Sequence, residues 1–166
     1  MLATALQMEE KGKQYYEKAA ATTQNGVGRE IWKLLAGYEV QHMERIREIY
    51  GQLHGGGAWT EDMASFAVAT DLGLVFRKLA EANRDQVKAG AGDVEALGVG
   101  VDFESASVNF YEEHLAGAQD PLEKKFLGLM VAEEREHLNL LSDLRYYYQD
   151  PAGWYMEKER STLDGA

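Results

Sequence analysis

Gly37-Tyr38-Glu39-Val40-Gln41-His42 and Ala132-Glu133-Glu134-Arg135-Glu136-His137 each contain a Glu-x-x-His, and each is preceded by a further Glu at the same distance. Glu9 lies 30 residues before Glu39, and Glu104 lies 30 before Glu134, so every member of the first set recurs 95 residues later. An aromatic pair follows each leading Glu at the same offset, Tyr15-Tyr16 in one half and Phe110-Tyr111 in the other. With 19 Glu and 4 His in 166 residues, composition alone yields about half a Glu-x-x-His match. Two matches, each with its leading Glu and aromatic pair in register, mark an internal repeat built on metal-ligand residue types.

The surrounding pattern is helical. Leu2, Leu6, Gly12, Tyr16 and Ala19 or Ala20 recur at helical spacing over residues 2–23, and Gln24-Asn25-Gly26 breaks the run with residues suited to a tight turn. The seam resumes between Gly28 and Tyr50 at Ile31, Leu34, Leu35, Tyr38, His42, Ile46 and Ile49. So short a turn requires the two helices to lie antiparallel. Leu97, Val101, Val108, Tyr111 and Leu115 mark a third helix, Gln119-Asp120-Pro121 a second turn, and Phe126, Leu129, Met130, His137, Leu141 and Leu144 a fourth helix. Pro121 fits its first position, with Asp120 as the cap.

The turns allow a test of convergence. In an antiparallel hairpin, residues equidistant from the turn share a height. The point midway between Glu9 and the Glu39/His42 pair falls at about residue 25, and the equivalent point in the second half at about residue 120, taking an equal rise per residue in both helices. Both points lie within the turns, so all six residues should meet in one layer. They should also face inward: Glu39 and His42 are i and i+3, and Glu9 and Tyr16 fall within about 20° of each other on a helix of 3.6 residues per turn. The repeat favours Glu134 over Glu133, whose mate is Tyr38, and Glu9 over Glu10, whose mate is Ser105.

Four carboxylates gathered in a bundle interior lose hydration and repel one another. Two divalent cations balance four negative charges, which points to a dinuclear site. The chain has no Cys, which excludes disulfides, thiolate zinc, Cys-ligated iron–sulfur clusters and a Cys nucleophile within it. Oxygen and nitrogen ligands suit iron, manganese or zinc more than copper(I). A net charge of −11 argues against nucleic acid or an anionic membrane as a partner. No 18-residue apolar run and no signal-peptide core is present, so a cytoplasmic location is expected.

The run Met8-Glu9-Glu10-Lys11-Gly12-Lys13-Gln14-Tyr15-Tyr16-Glu17 and the segment Gly37–His42, with their second-half counterparts, resemble the rubrerythrin-like branch of the ferritin-like superfamily over roughly residues 2–148. The resemblance implies an all-α, ferritin-like four-helix bundle with one long crossover, carrying a short extra helix, between helices two and three. It also implies two iron ions and chemistry with hydrogen peroxide or dioxygen. By this likeness Glu39 and Glu134 are bridging ligands, and Glu9, His42, Glu104 and His137 terminal ones. Tyr16 and Tyr111 resemble the tyrosines that hydrogen-bond metal carboxylates across the bundle. Two departures stand out. Full-length rubrerythrins carry a Cys-ligated rubredoxin domain, so here electrons must come from a separate donor protein or from ferrous iron itself. They also place an extra Glu one turn after the third-helix ligand, where this chain has Ser107, with Gly12 as its repeat mate.

As a single domain over 1–166, the chain divides into hairpin 2–50, crossover 51–95, hairpin 96–148 and tail 149–166. Leu72, Phe76, Leu79 and Val87 predict an amphipathic helix between about Asp71 and Lys88, serving as core cover or as a contact with a second subunit. Ferritin-like bundles commonly dimerise, and a homodimer is expected. The tail has too little periodicity for another core helix. His54 and His114 lack a Glu at i−3 and are expected at the surface. Tyr15, Phe110 and Phe126 read as packing.

Three functions fit this reading: a di-iron oxidoreductase of the peroxidase or oxidase type, an iron-binding ferroxidase or carrier without catalytic turnover, and a bundle holding manganese or zinc.

Overall fold

Asn25 begins the second helix of the first hairpin: its side chain accepts a hydrogen bond from Gly28 N at 3.0 Å, satisfying one of the donors a helix start leaves free. Asp120 does the same in the second hairpin, accepting from Leu122 N at 2.7 Å and Glu123 N at 3.3 Å, with Pro121 at the first helical position. In the computed structural model, which describes residues 1–65, 71–83 and 89–163, these caps separate α1 (Leu2–Thr22) from α2 (Gly26–His54), and α4 (Ala91–Gly117) from α5 (Pro121–Gln149). Two shorter helices complete the described residues, α3 (Leu72–Ala82) in the crossover and α6 (Pro151–Leu163) after the bundle. No strand occurs among the described residues, and the fold is an all-helical bundle.

The apolar core falls into two clusters. One gathers Tyr16, Val27, Ile31, Trp32 and Leu35 with Leu97, Leu141, Leu144 and Tyr147. The other gathers Ala5, Ile46 and Ile49 with Tyr111, Phe126, Leu127 and Met130. The turn of the first hairpin therefore lies beside the open end of the second, and conversely. This is the arrangement a long crossover produces, since the chain must travel the length of the bundle before α4 can start. Between the clusters lies a layer of buried acids and imidazoles.

Sequence periodicity places the four long helices correctly, and the structure extends α2, α4 and α5 beyond the expected spans. α2 runs to His54, four residues beyond the expected Tyr50, and ends where Gly56 adopts φ +86°, a conformation open to glycine at little cost. α3 occupies the first part of the helix expected near Asp71–Lys88, and Asp71 caps it by accepting from Leu74 N. Val87 lies outside the described residues. Leu72, Phe76 and Ala80 are buried, so this stripe covers the core.

The tail departs from expectation. Pro151–Leu163 is a helix, and Trp154 is buried, 5.0 Å from the Phe76 ring and 5.2 Å from the Tyr147 ring. Tyr155 Oη donates to Ala80 O at 2.9 Å, and Lys158 pairs with Asp143 at 2.7 Å. A helix held by two adjacent aromatics, Trp154 and Tyr155, and a few polar contacts leaves no apolar stripe for a periodicity reading to detect.

Candidate metal centre

Glu9 on α1, Glu39 and His42 on α2, Glu104 on α4, and Glu134 and His137 on α5 all meet in the polar layer, none more than 3% exposed. One oxygen or nitrogen from each of Glu39, Glu104, Glu134 and His137 lies within 4.8 Å of the others, and Glu9, Glu39 and His42 form a second such group. Glu39 belongs to both. Glu134 also reaches both sides: Oε1 is 3.1 Å from His42 Nδ1 and Oε2 is 3.7 Å from His137 Nδ1. The two imidazoles are stacked with centroids 5.5 Å apart.

The helix register explains the convergence. Glu39/His42 and Glu134/His137 each project from one face of their helix, and the antiparallel hairpins bring the faces together. Tyr16 and Tyr111 complete the layer by crossing between hairpins. The Tyr16 phenol donates to Glu104 Oε1, and the Tyr111 phenol donates to Glu9 Oε1. Both phenols are pushed well above their usual range by burial and by the surrounding carboxylates, so they remain donors at neutral pH.

The charge state of the metal-free layer shows how costly it is. Burial, reinforced by Glu9, pushes the Glu39 carboxyl well above the usual carboxylate range, and burial with Glu134 does the same to Glu104. Burial also raises Glu9, but Glu39, His42 and Tyr111 outweigh it and hold that carboxyl at about 2. His42 resists burial because Glu133 and Glu134 draw its pKa well above normal, whereas burial lowers that of His137. The protein thus offsets its buried charge with protons.

Five ligand-type atoms in the layer are buried without a hydrogen bond: Glu39 Oε2, Glu104 Oε2, both oxygens of Glu134, and His137 Nδ1. His42 Nδ1 is close to Glu134 Oε1 but misaligned with it, bonding Glu9 Oε2 at 3.2 Å instead. Buried polar atoms without partners are rare in folded proteins. Their convergence here, on oxygens and one nitrogen, matches the donor set of a divalent metal pair.

Glu133 is the buried participant that the repeat reading set aside. From α5 it reaches across to α2, where its Oε2 lies 2.8 Å from His42 Nε2. The repeat mate of Glu133, Tyr38, lays its ring on His137 with centroids 5.2 Å apart. Only the inward placement of that mate could have signalled the role of Glu133. Gly12 and Ser107 add no carboxylate. A Cβ at Gly12 would come 2.8 Å from the Phe103 ring and 3.1 Å from Glu39 Oε1, while Ser107 is buried and carries a hydroxyl. His54 is exposed, and His114 is half-buried with Nδ1 donating to Phe110 O at 2.8 Å. Neither belongs to either ligand group.

No helix of the described residues is long and apolar enough to cross a membrane. No curated protein and no solved structure matches the chain. A family model described as Rubrerythrin matches residues 1–145.

Proposed function

The chain belongs to the rubrerythrin family, a ferritin-like di-iron family, and from that premise we propose that it is a non-haem di-iron oxidoreductase acting on hydrogen peroxide or dioxygen. The observation that carries the proposal is the set of five buried, unpartnered ligand atoms between two Glu-x-x-His helices. Glu39 and Glu134 would hold the metals jointly, with Glu9 and His42 completing one position and Glu104 and His137 the other. The chemistry a ferrous pair would supply there is two electrons for the reduction of peroxide or dioxygen.

The remaining work belongs to the chain. Tyr16 and Tyr111 fix the orientation of Glu104 and Glu9 through their phenol hydrogen bonds. The two apolar clusters on either side keep bulk water from the layer, which strengthens electrostatic interactions within it. Reduction of peroxide to water consumes two protons, and the nearby phenols and carboxyl groups are placed to relay them. We further propose a separate one-electron donor protein as reductant, since these 166 residues contain no Cys to bind a rubredoxin-type iron, and a homodimer as the working form.

The same absence favours a second reading, an iron-oxidising or iron-carrying protein in which ferrous iron itself supplies the electrons. Elemental analysis of protein purified without air, followed by peroxide titration with and without a reductant, separates the two. Two irons per chain and repeated peroxide consumption support the enzyme. One cycle per bound pair, even with reductant supplied, supports the carrier. Two manganese or zinc ions per chain would replace the iron assignment.

A further inference from the structure

The two halves of the centre correspond at every candidate ligand and differ behind the imidazoles. His42 Nε2 lies 2.8 Å from the Glu133 carboxylate, with both side chains buried. His137 has the ring of Tyr38 against its own, centroids 5.2 Å apart, and the carboxylates nearest it, Glu104 and Glu134, both lie on its Nδ1 side at 3.7 Å. A histidine whose outer nitrogen is held by a carboxylate has its tautomer and ring plane fixed, with the other nitrogen aimed at the metal. His42 Nδ1 is so aimed, 3.2 Å from Glu9 Oε2 and 3.1 Å from Glu134 Oε1. The fixed ring loses less freedom on binding a cation, and the Glu133 charge, which is also felt at His137, lies in direct contact with His42 and so acts most strongly there.

We propose that Glu133 is a positioning residue that makes the His42 position the tighter of the two, so that a divalent cation fills it first and the His137 position second. This rests on the dinuclear reading above and adds an order of filling to it. The repeat that builds a symmetric ligand set therefore holds an asymmetric pair of sites, with the difference set at one pair of repeat mates, Tyr38 and Glu133.

The test uses the full chain and Co(II), which reports coordination through its visible absorption and needs no turnover. Wild-type protein should bind two Co(II) in two resolved steps by calorimetry. His137→Ala should keep the tighter step, and His42→Ala the weaker one. Glu133→Ala should then weaken binding in the His137→Ala background by about 10- to 100-fold, the usual effect of losing a partner behind a ligating histidine, and weaken the His42→Ala background far less, where only its charge is lost. Glu133→Gln, which keeps an acceptor without the charge, should recover part of the loss. A second measurement avoids ligand deletion. At one Co(II) per chain, wild-type protein should show a single hyperfine-shifted imidazole N–H resonance, protected from solvent exchange by Glu133 and lost in Glu133→Ala. Equal weakening in both backgrounds, no weakening in either, or two N–H resonances of equal intensity at half loading would overturn the proposal while leaving the dinuclear reading intact. Failure of wild-type protein to take up two Co(II) would instead remove the reading beneath it.

Discussion

Tyr111 on α4 hydrogen-bonds Glu9 on α1, two residues 102 positions apart in sequence. The bond ties the hairpins together at the metal layer and has a counterpart in Tyr16 and Glu104. Each phenol therefore does two jobs, holding a candidate ligand in place and adding to the polar contacts, such as His42 with Glu133, that link the two halves of the chain.

Tyr111→Phe leaves Glu9 Oε1 buried without its donor. Metal-free Tyr111→Phe should lose about 1–3 kcal/mol of stability, the usual cost of stranding a buried acceptor. Urea denaturation should show a lower midpoint with an unchanged slope. Tyr16→Phe should behave alike.

Glu39→Gln should move stability and metal binding in opposite directions. Burial and Glu9 hold the Glu39 carboxyl well above its usual range in the metal-free protein, so folding drives it toward the protonated form, at a cost that grows as pH rises above the unfolded value. Gln resembles the protonated acid and removes that cost. The metal-free variant should denature at higher urea than wild type yet bind fewer than two metals. A variant less stable than wild type and still fully loaded would refute the assignment of Glu39.

Metal uptake should release protons. Glu39 and Glu104 are raised well above the carboxylate range, chiefly by burial, and His42 is raised against burial by Glu133 and Glu134. Ligands must shed these protons to bind a cation. Raising the pH removes the competitor, so affinity should climb as pH rises and fall as it drops. Calorimetry in buffers of different ionisation enthalpy should show net proton release on binding.

Loading should also stabilise the fold. A cation that binds only the native state adds about 2.7 kcal/mol when its free concentration is 100 times its dissociation constant. The thermal midpoint should rise with metal and return to the metal-free value when a chelator is added.

Trp154→Ala probes the tail. Loss of a fully packed tryptophan costs about 3–5 kcal/mol, and α6 should become open to proteolysis. Because Trp154 packs on Phe76 and Tyr147 and lies outside the polar layer, the metal stoichiometry should stay at the wild-type value.

The four long helices and the six converging groups were legible because repetition and helical period leave the same imprint on sequence. Pro121 with Asp120, and the Gln24-Asn25-Gly26 break, located both turns. Two features were not legible. The short helix α6 hangs on Trp154 and Tyr155, and two adjacent anchors have no period. Glu133 was weighed as a rival to Glu134 for the ligand role, when its contact lies across the bundle with His42. Spacing along one helix says which face a residue occupies, but says nothing of what a neighbouring helix brings to meet it.

The apolar core is interrupted midway by charged groups, so the molecule is weakest at its waist when no cation is present. A metal pair held there would act as a rivet for the fold. Chain made while that metal is scarce would open more readily and be cleared by proteases sooner, so the amount of this protein would follow the supply of the metal that closes its waist.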